Sequence, residues 1–421
     1  MLALGLGWPL WSMAASQTLE RIEITGNIKT RPLTILRELP FEPGDAIDSE
    51  DIDQATQAVK DLGLFERVEI KTSSTSDGKV VAVIEVKEKR FNFILPKINR
   101  NGDGDITTGI VWRSDNLFGR NQQSKFTYSY RKFDDADEDE ETEIKWEFTY
   151  PRIMDTPYSM EFVVLDEDTN LEETIDGRTG EYERQRRLGR LLIGRWINQE
   201  GPSQGLNFRI GPSLESYEHT YVSGDTGVLP DELDVYSVMG RLDGFYVHDN
   251  LLSRSGHHYR YELAVGNDTT GSDIDFHRHF FFYRKYMPIG DLDHQNLNLQ
   301  FRAGYINESI LGPPQYKIGG STGIRGYDRD AIEGNMFAII NMEYLRPFSG
   351  YDTLRGVFFL DVGDAWLDSD DVSLSDLKVG TGFGLRWKLK RFVRTDVRLD
   401  IARGLTDEGE TKAYLSTRAT F

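Results

Sequence analysis

Two short clusters in this chain carry residue types that enzymes and metal sites use. Residues 319–323 fit the G-x-S-x-G pattern of a serine nucleophile, with Ser321 at its centre. That arrangement needs a strand before the serine and a helix after it, and neither is expected here. His277 and His279 share one face of an expected strand but have no clear third metal ligand. We therefore expect no catalytic residue, no cofactor and no metal site, and we expect that the chain is not an enzyme.

The composition excludes several other kinds of site. The 421 residues include no cysteine, which rules out disulfides, thiolate chemistry and cysteine-based zinc sites. The net charge of -20 comes without a basic stripe, so nucleic acid is not an expected partner. The densest acidic run, at residues 134–141, is typical of a solvated loop, and cation binding is the alternative.

The first residues have the pattern of a secretory signal. A short apolar stretch at residues 2–11 is followed by small residues up to Ser16. This predicts a signal peptide over residues 1–16, cleaved near Ala15 or Ser16, and a buried N-terminal strand is the alternative.

Residues 17–90 are expected to form a small α+β domain. Ile22 and Ile24 alternate with charged residues, which predicts a strand. Helical spacing follows over 31–39, and again after a cap at Asp48 or Ser49. Two further strands complete the order strand, helix, helix, strand, strand. The two helices should cover one face of a sheet whose free edge could accept an extended peptide.

Residues 91–421 lose the helical period and show strand after strand. Sixteen strands are expected, an even number as in bacterial outer-membrane barrels, and about 20 residues per strand and turn suits a tilted membrane strand. The strands should start near Phe91, Asp105, Gln122, Thr142, Pro157, Arg184, Gln204, Asp234, Gly256, Ile274, His294, Asn335, Thr353, Leu377, Val393 and Lys412.

Face alternation and loop lengths agree with a barrel. In residues 379–389 apolar side chains alternate with glycine, Arg386 and Lys388, which predicts a lipid face and a lumen face. A soluble sandwich could show the same alternation, but sixteen consecutive hairpins after a signal peptide favour a transmembrane barrel. Long loops then alternate with short turns. The long ones fall at 100–104, after Phe133, and at 166–180, 217–233, 267–273, 307–334, 363–376 and 404–411.

Several motifs in this region resemble those of the BamA and TamA outer-membrane assembly superfamily, which includes two-partner secretion pores. Residues 319–327 contain Gly320, Ile324, Arg325, Gly326 and Tyr327, and they look like the Arg-Gly-aromatic motif of the sixth outer loop. Residues 114–120 resemble the first periplasmic turn of that superfamily. The N-terminal module looks like a single POTRA domain, where assembly relatives usually carry several and secretion relatives two.

The resemblance implies that the sixth loop folds back into the barrel. Glu343 and Asp361 match the superfamily's next two strands, and both have lumen-facing parity. Arg325 could then donate two hydrogen bonds to a carboxylate, each worth about 1.5–3 kcal/mol. This pairing would hold the loop inside the pore. The alternative is a surface arginine in a flexible loop.

The junction of the first and last strands is the second expected site. Pro96 in the first strand cannot donate to a β-ladder, so this seam could open sideways. Pro96 could equally lie at the rim, beyond the paired residues. The last strand contains Tyr414 and Leu415 and ends at Phe421. Its terminal aromatic resembles the signal by which barrels are recognised for insertion, and it also suits an interfacial aromatic girdle.

The expectation is a 16-stranded outer-membrane barrel with one periplasmic POTRA-like domain. The function expected is assembly or translocation of unfolded client proteins, which the small domain's edge would capture and pass to the seam. A two-partner-type secretion pore is the first alternative, and a passive channel or structural barrel is the second. Client proteins, outer-membrane lipid and periplasmic accessory proteins are the expected partners.

Overall fold

The computed structural model contains a small N-terminal domain followed by a closed β-barrel. No helix among the described residues is long and apolar enough to cross a membrane. Apart from Ser16, the expected signal peptide lies outside the described residues and stays a prediction. The structure describes residues 16–102, 104–133, 140–175, 177–201, 204–250, 252–307, 316–328, 331–389, 391 and 396–416.

The N-terminal domain is a four-stranded sheet covered by two helices. Its strands lie in the order β2, β1, β4, β3, and β1 runs parallel to β4. The predicted order is confirmed, with one addition, because β2 is too short to leave a periodic signal. The elements are β1 (Gln17–Thr25), α1 (Pro32–Leu36), β2 (Ala46–Ile47), α2 (Ser49–Asp61), β3 (Phe65–Ser74) and β4 (Val80–Glu88).

Helix α2 is fixed by its cap and by its apolar face. Asp48 is the N-cap: its carboxylate accepts the backbone N–H of Asp51 at 3.1 Å, and the Asp51 carboxylate accepts that of Asp48 at 2.9 Å. Val59 and Leu62 are fully buried against Ile84 of the sheet. The cap and this packing fix the position of the helix on the sheet, and its C-terminal end is the part that contacts the barrel.

All sixteen predicted barrel strands are present, and each is antiparallel to both neighbours in the closed sheet. Each strand begins within a few residues of its expected start, and the largest difference is at β10. Two short strands between β15 and β18, β16 (Tyr316–Lys317) and β17 (Glu333–Gly334), form a separate two-stranded sheet. The barrel strands are β5 (Asn92–Arg100), β6 (Ile106–Leu117), β7 (Gln122–Lys132), β8 (Glu141–Tyr150), β9 (Tyr158–Ile175), β10 (Arg178–Gly201), β11 (Gln204–Gly224), β12 (Glu232–Asp249), β13 (Arg254–Gly266), β14 (Phe276–Pro288), β15 (Asn296–Ile306), β18 (Met336–Phe348), β19 (Tyr351–Trp366), β20 (Lys378–Lys388), β21 (Asp396–Gly404) and β22 (Thr411–Ser416).

The alternation of side chains separates an apolar outside from a polar inside. Phe383 and Trp387 of β20 are exposed on the outer surface, whereas Arg386 between them is buried. On β21 the outward Leu399 and Ile401 flank a fully buried Asp400. An apolar outer band around a polar lumen is the arrangement of a transmembrane barrel.

Two of the expected outer loops are in fact strand. Residues 166–175, 178–180 and most of 217–233 continue the ladders of β9 to β12, and the β9–β10 pairing has no register shift from Arg178 to Arg195. Ion pairs connect these extensions to their neighbouring strands, as between Glu218 and Arg187 at 2.7 Å and between Glu167 and Arg186 at 3.5 Å. The apolar alternation ends there although the pairing continues, so the sequence pattern indicated loops.

Candidate functional site

The sixth loop, which joins β15 to β18, turns back into the barrel. Its descending part makes a tight turn in which the Ile324 N–H donates to the Ile318 carbonyl at 3.0 Å. Gly320 and Gly326 have φ of +80° and +97°, a backbone region that favours glycine. A Cβ on Gly326 would lie 2.2 Å from the backbone nitrogen of Gly404. The loop therefore lies directly against the barrel wall at this glycine.

Arg325 reaches the carboxylates of two neighbouring strands. Its Nε and Nη2 donate to the two carboxylate oxygens of Asp361 on β19, at 2.6 and 2.8 Å. Its Nη1 donates to Glu343 on β18 at 2.9 Å. All three side chains are almost completely buried. The arrangement is the two-bond fork that a guanidinium forms with a carboxylate and that an ammonium group cannot form.

The network around Arg325 also includes residues that the sequence analysis did not connect to it. Arg325 Nη1 lies 3.2 Å from the Asp400 carboxylate on β21, and Arg386 on β20 donates to Glu343 at 2.7 Å and also to Asp400. Beneath it, the guanidinium carbon lies 3.5 Å from the ring centroid of Phe359, within range of a cation–π contact. The loop is thus connected to four consecutive strands, β18 to β21.

The residues beside Arg325 add packing and further hydrogen bonds. Ile324 and Tyr327 are buried in one apolar cluster. The Tyr327 hydroxyl donates to the Val379 carbonyl at 3.1 Å. The Gly326 N–H donates to the Tyr414 hydroxyl at 3.0 Å, which connects the motif to the last described strand, β22. Tyr414, expected in the seam, is therefore also a partner of the loop.

The seam is the pairing of β5 with β22. The described residues form two register pairs there, Leu415 with Arg100 and Ser416 with Asn99. Pro96 lies in the middle of β5, opposite Ile110 of β6, and the two described seam pairs do not include it. Phe421 lies outside the described residues.

The N-terminal domain contacts the turn at residues 114–121, the segment that resembles the first periplasmic turn. The Gly119 carbonyl accepts the Thr34 hydroxyl at 2.7 Å and the backbone N–H of Arg31 at 3.1 Å. The Asn116 amide donates to the Thr30 hydroxyl at 2.9 Å. This turn is a docking point for the loop before α1.

A second docking point lies at the end of α2. The Asp61 carboxylate accepts the Asp249 backbone N–H at 2.8 Å and the Gln204 amide at 2.6 Å, and His248 Nδ1 lies at 2.9 Å. These partners lie at the periplasmic ends of β11 and β12. On the opposite side of the ring, Arg90 N–H donates to the carbonyl of Arg391 at 3.0 Å. The domain therefore extends across the opening of the barrel.

A buried charge pair forms a third docking point, between the domain and the β8–β9 turn. Arg37 donates to Asp155 of that turn at 2.6 Å and to Glu38 at 3.2 Å. Burial raises the pKa of the Glu38 carboxyl to about 8, against the opposing effect of the Arg37 and Arg152 guanidiniums. Asp61 adds a smaller effect that also raises this pKa.

The described residues contain no group of three or more histidine, aspartate or glutamate side chains placed to hold a metal ion. His277 and His279 contact each other at 3.1 Å, and His279 contacts the Tyr261 hydroxyl at 2.6 Å. Tyr261 is exposed on the outer surface of the barrel. This cluster has the residue types of an aromatic girdle at the membrane interface.

Two domain families match the chain. Residues 17–89 match the POTRA family, described as surface antigen variable number repeat, and residues 247–413 match the Omp85 superfamily domain. The outer membrane protein assembly factor BamA of Nitratidesulfovibrio vulgaris is 21% identical over 398 residues, which cover 88% of this chain and 47% of that protein. The chain thus spans about half the length of this relative.

Solved structures share the fold at low sequence identity. CdiB from Acinetobacter baumannii superposes with a TM-score of 0.65 at 16% identity, covering 95% of this chain and 73% of that one. BamA from Haemophilus ducreyi lacking POTRA domains 1-3 superposes with a TM-score of 0.54 at 14% identity, covering 95% and 83%. The barrel lies in the outer membrane and the N-terminal domain in the periplasm. The chain belongs to the BamA/TamA-type superfamily, as an Omp85 barrel preceded by one POTRA domain.

Proposed function

We propose that this protein assembles or translocates other proteins at the outer membrane: it takes unfolded clients from the periplasm and moves them into or across the bilayer. The observation that carries the proposal is the sixth loop, which Arg325 joins to the carboxylates of β18, β19 and β21. A loop held this way stiffens the part of the barrel formed by β18 to β21. The seam can then move relative to a fixed frame.

The POTRA sheet offers an edge for client capture. Strand β3 pairs only with β4, so its other side is an edge of the sheet among the described residues. Lys71 and Thr72 are exposed along it. An unpaired edge can add an extended peptide as a further strand. We propose that clients first bind here.

Photocross-linking tests this edge directly. A photoreactive side chain at Thr72 should cross-link an unfolded client, and the same group at Glu50, exposed on α2, should not. Equal cross-linking at the two positions would remove the edge from the proposal.

The seam is the place where we propose that clients leave the barrel. Pro96 of β5 lacks an N–H and cannot donate to a β-ladder, and only Asn99 and Arg100 of β5 pair with β22 among the described residues. A seam that opens sideways can pair with an incoming strand and release it into lipid. A secretion pore would instead move its client through the lumen and would not need the seam to open.

The decisive experiment is reconstitution into liposomes with an unfolded small barrel protein as client. The protein should accelerate folding of the client relative to empty liposomes. Arg100→Cys with Leu415→Cys places two cysteines directly opposite each other across the seam, in a chain with no native cysteine. Oxidation of this pair should abolish the acceleration, and reduction should restore it.

A second cysteine pair provides the matched control. Tyr128→Cys with Ile144→Cys joins β7 to β8, away from the seam, at two exposed outward positions. Oxidation of this pair should leave the acceleration intact. No acceleration by the native protein, together with steady ion conductance, would instead favour the secretion pore or the passive channel.

A further inference from the structure

Two cavities lie beside the tip of the sixth loop inside the barrel, and Ser321 and Thr322 line both. The first, of about 310 Å³, has three basic and four acidic side chains in its wall. These include close ion pairs, such as Lys97 with Glu143 at 3.1 Å and Arg131 with Glu141. The charges of this cavity are nearly balanced by its own residues.

The second cavity, of about 410 Å³, has an excess of positive charge. Arg284, Arg302, Arg325 and Arg398 line it, and Glu343 is the one acidic side chain among the described residues in its wall. The network behind the wall adds Arg386 and the carboxylates of Asp361 and Asp400. Within this wall and network, the described residues thus supply five guanidiniums and three carboxylates, an excess of two positive charges in an otherwise acidic protein.

The excess charge belongs to Arg284 and Arg302, on the neighbouring strands β14 and β15. Among the described residues, neither forms an ion pair with a carboxylate. Arg284 Nε donates to the Gln300 amide oxygen at 2.6 Å, and its guanidinium carbon lies 4.7 Å from the ring centroid of Phe282. The contact with Phe282 and the bond to Gln300 fix the orientation of the guanidinium.

Arg302 has unused donor capacity. Its Nη2 donates to the Thr322 carbonyl of the sixth loop at 2.6 Å and to Asn341 at 3.2 Å. Its Nε atom is buried and has no hydrogen-bond partner among the described residues. A buried donor without an acceptor costs about 1–3 kcal/mol, so this atom marks a place where an acceptor is missing.

We propose that this cavity binds a phosphate group between Arg284 and Arg302. Guanidiniums recognise phosphate through parallel hydrogen bonds, and a phosphate monoester or inorganic phosphate carries about -1.5 to -2 charges at pH 7. That charge matches the excess of two, whereas a single carboxylate or chloride would leave one cation unmatched. The phosphate can be free in solution or can belong to a lipid headgroup that enters beside β22, whose Ser416 lines the same cavity.

The test measures the unfolding temperature of the detergent-solubilised protein while inorganic phosphate is added at constant ionic strength, with chloride as the reference salt. Phosphate should raise the temperature with a saturable dependence. Arg284→Gln should increase the apparent Kd for phosphate about tenfold or more, because it removes a charge-assisted interaction. Arg284→Lys retains the charge but cannot form two parallel hydrogen bonds, so its apparent Kd for phosphate should lie between those of the native protein and Arg284→Gln.

Arg131→Gln is the matched control, since it removes a lumen guanidinium from the charge-balanced cavity. It should change the apparent Kd less than twofold. Equal effects of phosphate and chloride, or equal apparent Kd values for Arg284→Gln and the native protein, would overturn the proposal. The unfolding temperature without phosphate shows whether each variant has folded.

A second arm identifies the source of the phosphate. Dihexanoyl phosphatidic acid presents the group on a lipid, and dihexanoyl phosphatidylcholine has the same tails with no net charge. Tighter binding of the phosphatidic acid than of inorganic phosphate, lost in Arg284→Gln, supports a lipid headgroup as the ligand. Equal or weaker binding supports free phosphate. Equal binding of the two lipids, without any response to inorganic phosphate, would contradict the site.

Discussion

Arg325 is almost completely removed from water, and its charge is tolerated only because three carboxylates surround it. Arg325→Lys retains the charge but cannot donate to both oxygens of Asp361 while it also reaches Glu343. We expect this variant to lose at least one charge-assisted hydrogen bond, about 1.5–3 kcal/mol of stability. The measurement is the temperature at which the barrel loses its compact, fast-migrating form on a cold detergent gel.

Arg187→Lys provides the control for this prediction. Arg187 pairs with Glu218 at 2.7 Å, but both side chains are about half exposed. Exposed ion pairs contribute about 0–1 kcal/mol, so the unfolding temperature should barely change. Equal shifts of the unfolding temperature in the two variants would mean that burial does not account for the contribution of Arg325 to stability.

Gly326 is required by close approach as well as by its backbone angle. Gly326→Ala brings a Cβ to within 2.2 Å of the backbone nitrogen of Gly404, where nothing flexible can move aside. Gly227→Ala has a similar positive φ but open space around the added Cβ. Both substitutions carry the left-handed strain of about 1–2 kcal/mol. Only Gly326→Ala should also expose the sixth loop to added protease, and equal cleavage of the two variants would argue against the close fit.

The sequence alone identified some members of the Arg325 network and not others. Strand parity and family motifs indicated Glu343 and Asp361, and the structure places both on Arg325. Parity also placed Arg386 in the lumen. Which lumen charges meet depends on strand tilt and barrel closure, and alternation carries no information on either.

At the scale of elements, the sequence predicted the strands well where one face meets lipid. The β9–β12 extensions were expected as loops because polar residues occupy both faces there. The docking of the domain onto residues 114–121 was also not foreseen as a contact. It rests mainly on the Gly119 carbonyl, and a backbone acceptor leaves no signal in residue type.

The contact between the POTRA domain and the β8–β9 turn should depend on pH through Glu38. Its pKa is raised from 4.5 to about 8 by burial, so the folded domain binds this proton more tightly than the unfolded chain does. Stability from this group is therefore greatest at low pH, falls as the pH rises from about 4.5 to about 8, and levels off above that.

Thermal unfolding of the native protein and of Glu38→Gln, followed between pH 4.5 and 8.5, checks this prediction. Glu38→Gln retains a similar shape but cannot titrate, so its profile should be flatter across the window. Profiles of equal slope would show that another group controls the pH dependence.

At the scale of the whole molecule, the sixth loop lies inside the barrel and the POTRA domain lies at its periplasmic opening. The sixth loop descends from the outer side to Arg325, and the POTRA domain extends across the periplasmic opening between turns on opposite sides of the ring. We expect that passage of a client or ion from the periplasm requires the domain to move. The Asp61 contacts with β11 and β12 are one restraint on that movement.

Asp61→Arg should release this restraint and raise the ion conductance of the barrel in planar bilayers. The substitution replaces a carboxylate, which accepts hydrogen bonds from the Gln204 amide and the Asp249 backbone N–H, with a guanidinium, which can only donate. Asp53→Arg makes the same charge change at an exposed position of the same helix, and should leave the conductance unchanged. If the two variants conduct equally, the change follows from net charge. If only Asp61→Arg conducts more, the docked POTRA domain is what closes the periplasmic opening.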